Sequence, residues 1–407
     1  MDGRFSLGAR VLGAAARIAT DRFEESLGRG LPRTPEALVE RDVLDGLLQT
    51  GALPGAPKLP RLRGARLPGV AFESSNCTNF LIEPEFEPVA ERDETASPPA
   101  TLYAKLPCAE LATRAFAKAV GFWETEVAFC QRIAHRAPIR VPRVYAAVQR
   151  GARFVLLLED VQALPGALLF INRDMAQGTT LERARRCVES FAALHAGFHG
   201  LGEVEREALL PRRLHPYLSA GGRARMRALN AAAIDRAWRA APDVFTRAHA
   251  AIAHEAIAKW DALMRIWYAE PLTLIHGDSH LGNCFEYATP AGPTIGMLDF
   301  QGVQWCRGMR DVQYFLINSL EPALLARHEE ALVDHYVASL AERGVALDAR
   351  DAREQYRAFA FQTLMVAVVS LGLGSLTERA ETVDAVLRRS VAAIDRLEFG
   401  TWLRGLR

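Results

Sequence analysis

From about Leu164 onward the sequence reads almost wholly as helix, and two apolar runs interrupt it: "LTLIHGDSHLGNCFEY" (272–287) and "PTIGMLDFQG" (293–302). Each run is short and ends in polar residues, as a buried strand does where it runs into a loop. The chain must therefore build a helical body around strands whose ends carry Asp278, Asn283 and Asp299. Asp278 and Asn283 are five residues apart, and Asp299 follows sixteen residues later at the end of "TIGML". If the two strands pair, two carboxylates and an amide converge. The plain alternative is a hairpin in which Asp and Asn bond their own backbone, as these residues often do in turns.

The preceding part has a different texture. "VAFESSNCTNFLIEPEFEP" (70–88), "ATLYAKLPC" (100–108) and "RVYAAVQRGARFVLLLEDV" (143–161) alternate as strands do. Between them "ATRAFAKAVGFWETEVAFCQRIAHRA" has helical periodicity, and "VAERDETASPPA" is an acidic polar loop. The expected order is a small, mostly antiparallel sheet carrying one helix, then a large helical part. Residues 1–69 read as a helical extension ending in the Pro/Gly/Arg linker "PGAPKLPRLRGARLPG". The expected domains are thus 1–69, 70–163 and 164–407.

Bulk properties exclude several classes. A net charge of +1 over 407 residues argues against nucleic acid as the main partner. No apolar run reaches the roughly 18 residues of a membrane span. The N-terminus, with Asp2 and Asp21 and no long apolar core, reads as an amphipathic helix covering the fold or lying on a membrane surface, the first favoured, and not as a secretory signal. Six cysteines without a CxxC pair read as buried free thiols of a reducing cytoplasm.

The Asp–Asn–Asp set suits phosphoryl transfer. Asp278 would accept the proton of an attacking hydroxyl, while Asn283 and Asp299 would hold Mg²⁺, which prefers hard oxygen ligands. Such chemistry also needs a cation on the nucleotide phosphates. Lys105 sits inside the apolar strand "TLYAKLP", an unusual place for one of only four lysines. Its alternative role is as a solubilising residue on an edge strand. Glu126 shares a helical face with Phe122, Phe129 and Cys130, so it points inward and is preferred over Glu124 as the partner of Lys105. Glu159, Asp160 and Val161 follow a buried strand where the two parts should join, and their backbone could bond an adenine edge or merely end the strand. His195 and His199 are four apart, as are His276 and His280, but no third ligand stands at the spacing zinc needs. His195 reads as a packed core residue beneath the Asp278 loop.

"HGDSHLGN", "MLDFQG", "RDVQYFL" and "FAALHAGFHG" resemble the kinase-like small-molecule phosphotransferases, the group of aminoglycoside phosphotransferases, choline kinases and ecdysteroid-kinase-like proteins. The resemblance covers about 75–397. It implies a two-lobed α+β, protein-kinase-like fold with ATP between the lobes. It also implies Asp278 as catalytic base, Asn283 and Asp299 as Mg²⁺ ligands, and Lys105 with Glu126 at the phosphates. Asp311 and His276 would brace the catalytic loop without doing chemistry. The nucleotide loop around 73–79 lacks glycine, so Ser75 and Asn76 in "SSNCTN" would supply phosphate contacts through backbone N–H groups and small side chains. The choice between ATP and GTP does not follow. The short stretch from Asp299 to Asp311 leaves no room for a peptide platform, so a small-molecule alcohol is the expected acceptor. The Arg-rich segment at 200–260 and the apolar last helices favour an apolar or anionic alcohol over a polycation. The competing classes are a metal-dependent phosphoesterase, which lacks its upstream Asp-x-His, and a non-catalytic nucleotide-binding pseudokinase.

Overall fold

The computed structural model describes residues 3–26, 30–50, 53–74, 76–88, 98–373 and 380–407. The chain divides into two compact units, one of residues 5–137 with 141–164 and the other chiefly of 138–140 with 165–407.

The first unit is organised by an antiparallel sheet. Its strands are β1 (Leu62–Arg66), β2 (Phe72–Glu73), β3 (Cys77–Phe86), β4 (Leu102–Pro107), β5 (Val144–Arg150) and β6 (Arg153–Glu159). They stand in the order β1-β3-β4-β6-β5, with β2 paired to β3. Alternation along β4 and β6 sends their side chains to two faces. Leu102, Ala104 and Leu106 join Val155 and Leu157 in a core closed by Leu38, Leu44 and Leu48. Those three leucines come from the short helices Pro35–Leu38 and Arg41–Thr50. The first begins where Thr34 Oγ1 accepts from Ala37 N, with Pro35 at the first helical position. The opposite face carries Phe154, which meets Trp123 at 5.4 Å between ring centres.

Part of the segment read as a linker is in fact β1, held to β3 by Leu62↔Phe86 and Arg66↔Glu83. Five residues with two glycine- or arginine-flanked apolar positions give too little alternation to be seen. The helix expected over 112–137 is two helices, Leu111–Val120 and Phe122–Arg132, that meet at Gly121 with φ 93°. A left-handed residue ends the first helix and lets the second start in a new direction. The N-terminal helix Gly3–Ser26 packs Ala14 and Ile18 against Ala115, Ala119 and Ala152. Asp21, buried and paired with Arg17 at 2.9 Å, accepts from Ala152 N. The acidic loop expected at 89–100 lies largely outside the described residues, as does Ser75.

The second unit is mostly helical. Its strands are β7 (Leu168–Leu169), β8 (Thr273–Ile275), β9 (Cys284–Thr289), β10 (Gly292–Met297) and β11 (Gln304–Cys306). β9 pairs with both β10 and β7, while β8 pairs with β11. The strand before His276 therefore does not pair with the strand before Asp299, and the condition set for their convergence is not met in that form. Two short ladders do the work instead, and β7 and β11 are too short to leave a periodic signal. The helix Met309–Ser319 is buried at every residue, so it is the axis of this unit. All six cysteines are free and buried. Among the described residues no helix is long and apolar enough to cross a membrane.

Gly121→Ala is expected to cost about 1–2 kcal/mol, because alanine must adopt a left-handed conformation at a place with room for its methyl group. Urea unfolding followed by far-UV circular dichroism measures it.

Candidate active site

The loop from His276 to Asn283 is held from below by one buried carboxylate. Asp311 is 0% exposed, and its Oδ2 accepts from His276 N at 2.6 Å while Oδ1 accepts from Gly277 N at 3.0 Å. His195 Nε2 lies 3.3 Å from the same Oδ2, and its Nδ1 meets Tyr336 OH at 2.8 Å. Ser279 Oγ donates to Asp311 O, and Leu281 N donates to Ser319 Oγ. The loop is thus laid along the buried helix Met309–Ser319. Burial works against the Asp311 charge, but the His195 hydrogen bond and the nearby charges of His195 and Arg310 outweigh it and hold the carboxyl below its usual range.

The same loop touches the one that follows β10. Gly277 has φ 82°, and a Cβ there would overlap the carbonyl of Gly302. His276 Nε2 donates to Leu298 O at 2.7 Å, and its Nδ1 accepts from Asp278 N at 3.2 Å, which fixes the ring tautomer. Register does the rest. β9 and β10 pair Cys284 with Met297, and one step further Leu298 N donates to Asn283 O at 2.8 Å. Leu298 therefore stands beside Asn283, and Asp299 follows it in a left-handed conformation at φ 58°, ψ 68°.

Asp278 is 31% exposed at its side chain. Tyr314 OH donates to its Oδ1 at 3.1 Å. Asn283 Nδ2 donates to its backbone O at 2.8 Å and stands 3.3 Å from its Oδ2, so the Asn283 amide oxygen is turned elsewhere. His280 Nε2 lies 3.7 Å from Oδ2. Burial favours the neutral acid, but the nearness of His280 to its Oδ2 outweighs it, with Arg310 helping. They hold Asp278 well below the usual carboxylate range. The group is therefore ionised and accepts hydrogen bonds.

An amide oxygen and a carboxylate at Asn283 and Asp299 are the hard donors Mg²⁺ takes. Among the described residues no group of three or more His, Cys, Asp or Glu side chains could hold a metal. A cation at Asn283 and Asp299 would need water or phosphate oxygens to complete its shell, which is the ordinary state of Mg²⁺ on a nucleotide.

In the sheet unit, Lys105 Nζ and Glu126 Oε1 are 2.6 Å apart with side chains 7% and 4% exposed. Glu124, the other candidate, instead pairs with Lys118. Asn76 is buried, and its Oδ1 accepts from the Cys77 thiol at 2.8 Å. Glu159 Oε2 accepts from Arg143 N, and Asp160 caps the next turn through Gln162 N while accepting from Thr101 Oγ1. Val161 is buried, and its carbonyl accepts from Leu164 N. These three residues end β6 and cap the following turn in addition to any other role.

Sequence reading missed Tyr314 and Arg310. The signal was present in "RDVQYFL": on a helix Tyr314 lies one turn beyond Asp311, so both reach the same loop.

Two outcomes test this architecture. Gly277→Ala should cost roughly 3 kcal/mol or more, since strain and overlap with Gly302 add; urea unfolding against wild type measures it. The contribution of Asp311 should depend on pH. With its folded pKa lowered, its stabilisation is fully present above the unfolded value of about 3.9. It is lost as pH falls through the lower folded value. The gap in unfolding free energy between wild type and Asp311→Asn should therefore be widest at neutral pH and shrink in acid.

No curated protein matches the chain. The solved structures it resembles include a protein of Ralstonia eutropha JMP134 assigned as an aminoglycoside phosphotransferase, at 14% identity and TM-score 0.48 over 89% of this chain and 98% of that one. Ethanolamine kinase of Plasmodium vivax resembles it at 11% identity and TM-score 0.46, over 81% of each chain. Choline kinase LicA of Streptococcus pneumoniae does so at 10% identity and TM-score 0.43, over 83% of this chain and 94% of that one. In sequence, the model of the ecdysteroid kinase-like family matches residues 91–348, more than half of the 407, and the chain belongs to that family.

Proposed function

We propose that this protein transfers the γ-phosphoryl group of ATP to a hydroxyl of a small molecule. The observation that carries the reading is the state of Asp278. It is an ionised, partly exposed carboxylate whose oxygens are aimed by Tyr314 and Asn283, on a loop in contact with the one that bears Asp299. Membership of a kinase-like family supports the reaction class.

In this reading Asp278 accepts a hydrogen bond from the acceptor hydroxyl, orients its oxygen toward the phosphorus, and takes the proton late in a loose transition state. Asn283 and Asp299 hold Mg²⁺, which when bound neutralises charge on the phosphate oxygens. Lys105, fixed by Glu126, presents its ammonium to the nucleotide phosphates. Ser75 and Asn76 would add loop contacts to them, and the Glu159–Val161 backbone would meet the base. His276 and Asp311 hold the loop and take no part in the chemistry. GTP is the alternative donor. The acceptor is a small-molecule alcohol, apolar or anionic in preference to polycationic, supported by the arginines of 200–260 and the apolar helix Ala349–Leu373.

Asp278→Asn keeps the shape of the side chain and removes the base. It should retain Mg·ATP binding by isothermal titration while phosphotransfer falls by about 10²–10⁴-fold. Asp299→Ala should weaken nucleotide binding only when Mg²⁺ is present. Turnover by Asp278→Asn at the wild-type rate, measured by ADP release across a panel of alcohols, would sink the mechanism.

A further inference from the structure

The helix Gly222–Ala240 carries a groove on one flank, shared with the end of the helix Arg247–Ala258 and the start of the helix Trp260–Trp267. Its volume is about 640 Å³, within the range of sites that take small molecules. Ala224, Ala228 and Ala231 line it from the first helix. They fall four and three residues apart, so they share one face, and methyl groups are too short to fill the space before them. Ile257 and Trp260 line it from the other two helices. Trp260 is 1% exposed and packs on Trp267 at 5.5 Å and on Tyr217 at 6.2 Å between ring centres, so this side is fixed before anything binds.

The charged residues of the groove are exposed and unequal in number. Arg223 Nη1 reaches Asp261 Oδ1 at 3.3 Å, from the first helix to the third. Both side chains are more than half exposed, at 55% and 61%, so water screens the pair and holds it only loosely. Arg227, one turn along from Arg223, is exposed, and its side chain has no hydrogen bond or ion pair among the described residues. Two arginines against one aspartate leave the lining with one unmatched positive charge. No lining residue belongs to the loop 276–283 or to the helix Met309–Ser319, so the groove is distinct from the site at Asp278.

We infer that this groove binds an alkyl carboxylate of medium length, its chain along the three alanines and its head on Arg227 and Arg223. From Ala224 to Ala231 the helix axis advances ~10 Å, which sets the length of chain the wall can cover. Such a chain takes apolar surface on both sides of the groove out of water. A carboxylate matches the paired N–H donors of a guanidinium, and Arg227 has those donors to give. Asp261 is matched by Arg223, so the head meets the unmatched charge. An alcohol of the same length keeps the apolar contact and loses the charged one. An ammonium head meets Arg227 as a like charge. The groove therefore selects acids over alcohols and amines, whatever reaction takes place at Asp278.

Three probes of one chain length, octanoate, octan-1-ol and octylammonium, test it by isothermal titration on the full chain without nucleotide, each below its micelle-forming concentration. Octanoate should bind about tenfold or more tightly than the alcohol, the value of one charged hydrogen bond. Octylammonium should bind more weakly than either. Arg227→Ala should bring octanoate down about tenfold, to the level of the alcohol, and leave the alcohol unchanged. Ala228→Phe should fill the groove and remove the binding of both. Arg227 is exposed, so its replacement spares the fold and keeps the test valid should Ala228→Phe unfold. A wild-type protein that binds the three alike, or binds none, overturns the inference. So does Arg227→Ala with the wild-type preference for octanoate, or a folded Ala228→Phe that still binds it.

Discussion

The loop that carries Asp278 hangs on one buried carboxylate. Asp311 receives the backbone N–H groups of two consecutive loop residues, His276 and Gly277, with a histidine on a third side. A charge this deep is expensive unless its bonds are made. That expense gives the arrangement its value: the loop cannot leave Asp311 without stranding a charge in the core. The carboxylate in turn sits on a helix with no exposed face, so the anchor has nowhere to move. Rigidity passes from the helix to Asp311, from Asp311 to the loop, and from the loop to Asp278.

A second constraint ties the two polar loops to each other. Gly277 and Gly302 meet with no space for a side chain, and Leu298 serves both Asn283 and His276 through its backbone. The sequence spaces Asp278, Asn283 and Asp299 unevenly along 22 positions, yet two short ladders and one glycine contact bring the loops that carry them together. Side chains that must act together within a few tenths of an ångström gain from sharing one scaffold.

Much of this was legible. Lys105 stood out because lysine is rare in this chain and rarer in an apolar strand, and Glu126 followed from its helical face. The sheet-then-helix order was visible in the change of period. What was hidden was hidden for physical reasons. Strands of two or three residues, such as β7 and β11, have no period to detect. Pairing partners depend on register, which local pattern does not encode, so the partner of the strand before His276, β11, was not visible. Gly121 looked like a tolerated glycine inside one helix, since its φ is a property of the backbone and not of composition. Tyr314 and Arg310 lay in plain view in "RDVQYFL", but a tyrosine on an apolar helix reads as core until its hydroxyl is seen against Asp278.

Asp299 has one more consequence. Its backbone is left-handed, where an aspartate is tolerated at the expense of about 1 kcal/mol that a glycine would not incur. As far as the backbone alone is concerned, change at this position has a downhill direction, toward glycine and no carboxylate. A lineage that kept the protein for its shape alone would be expected to drift that way. On the proposed metal role of Asp299, relatives of this chain that keep the activity should keep an acidic residue at this left-handed position.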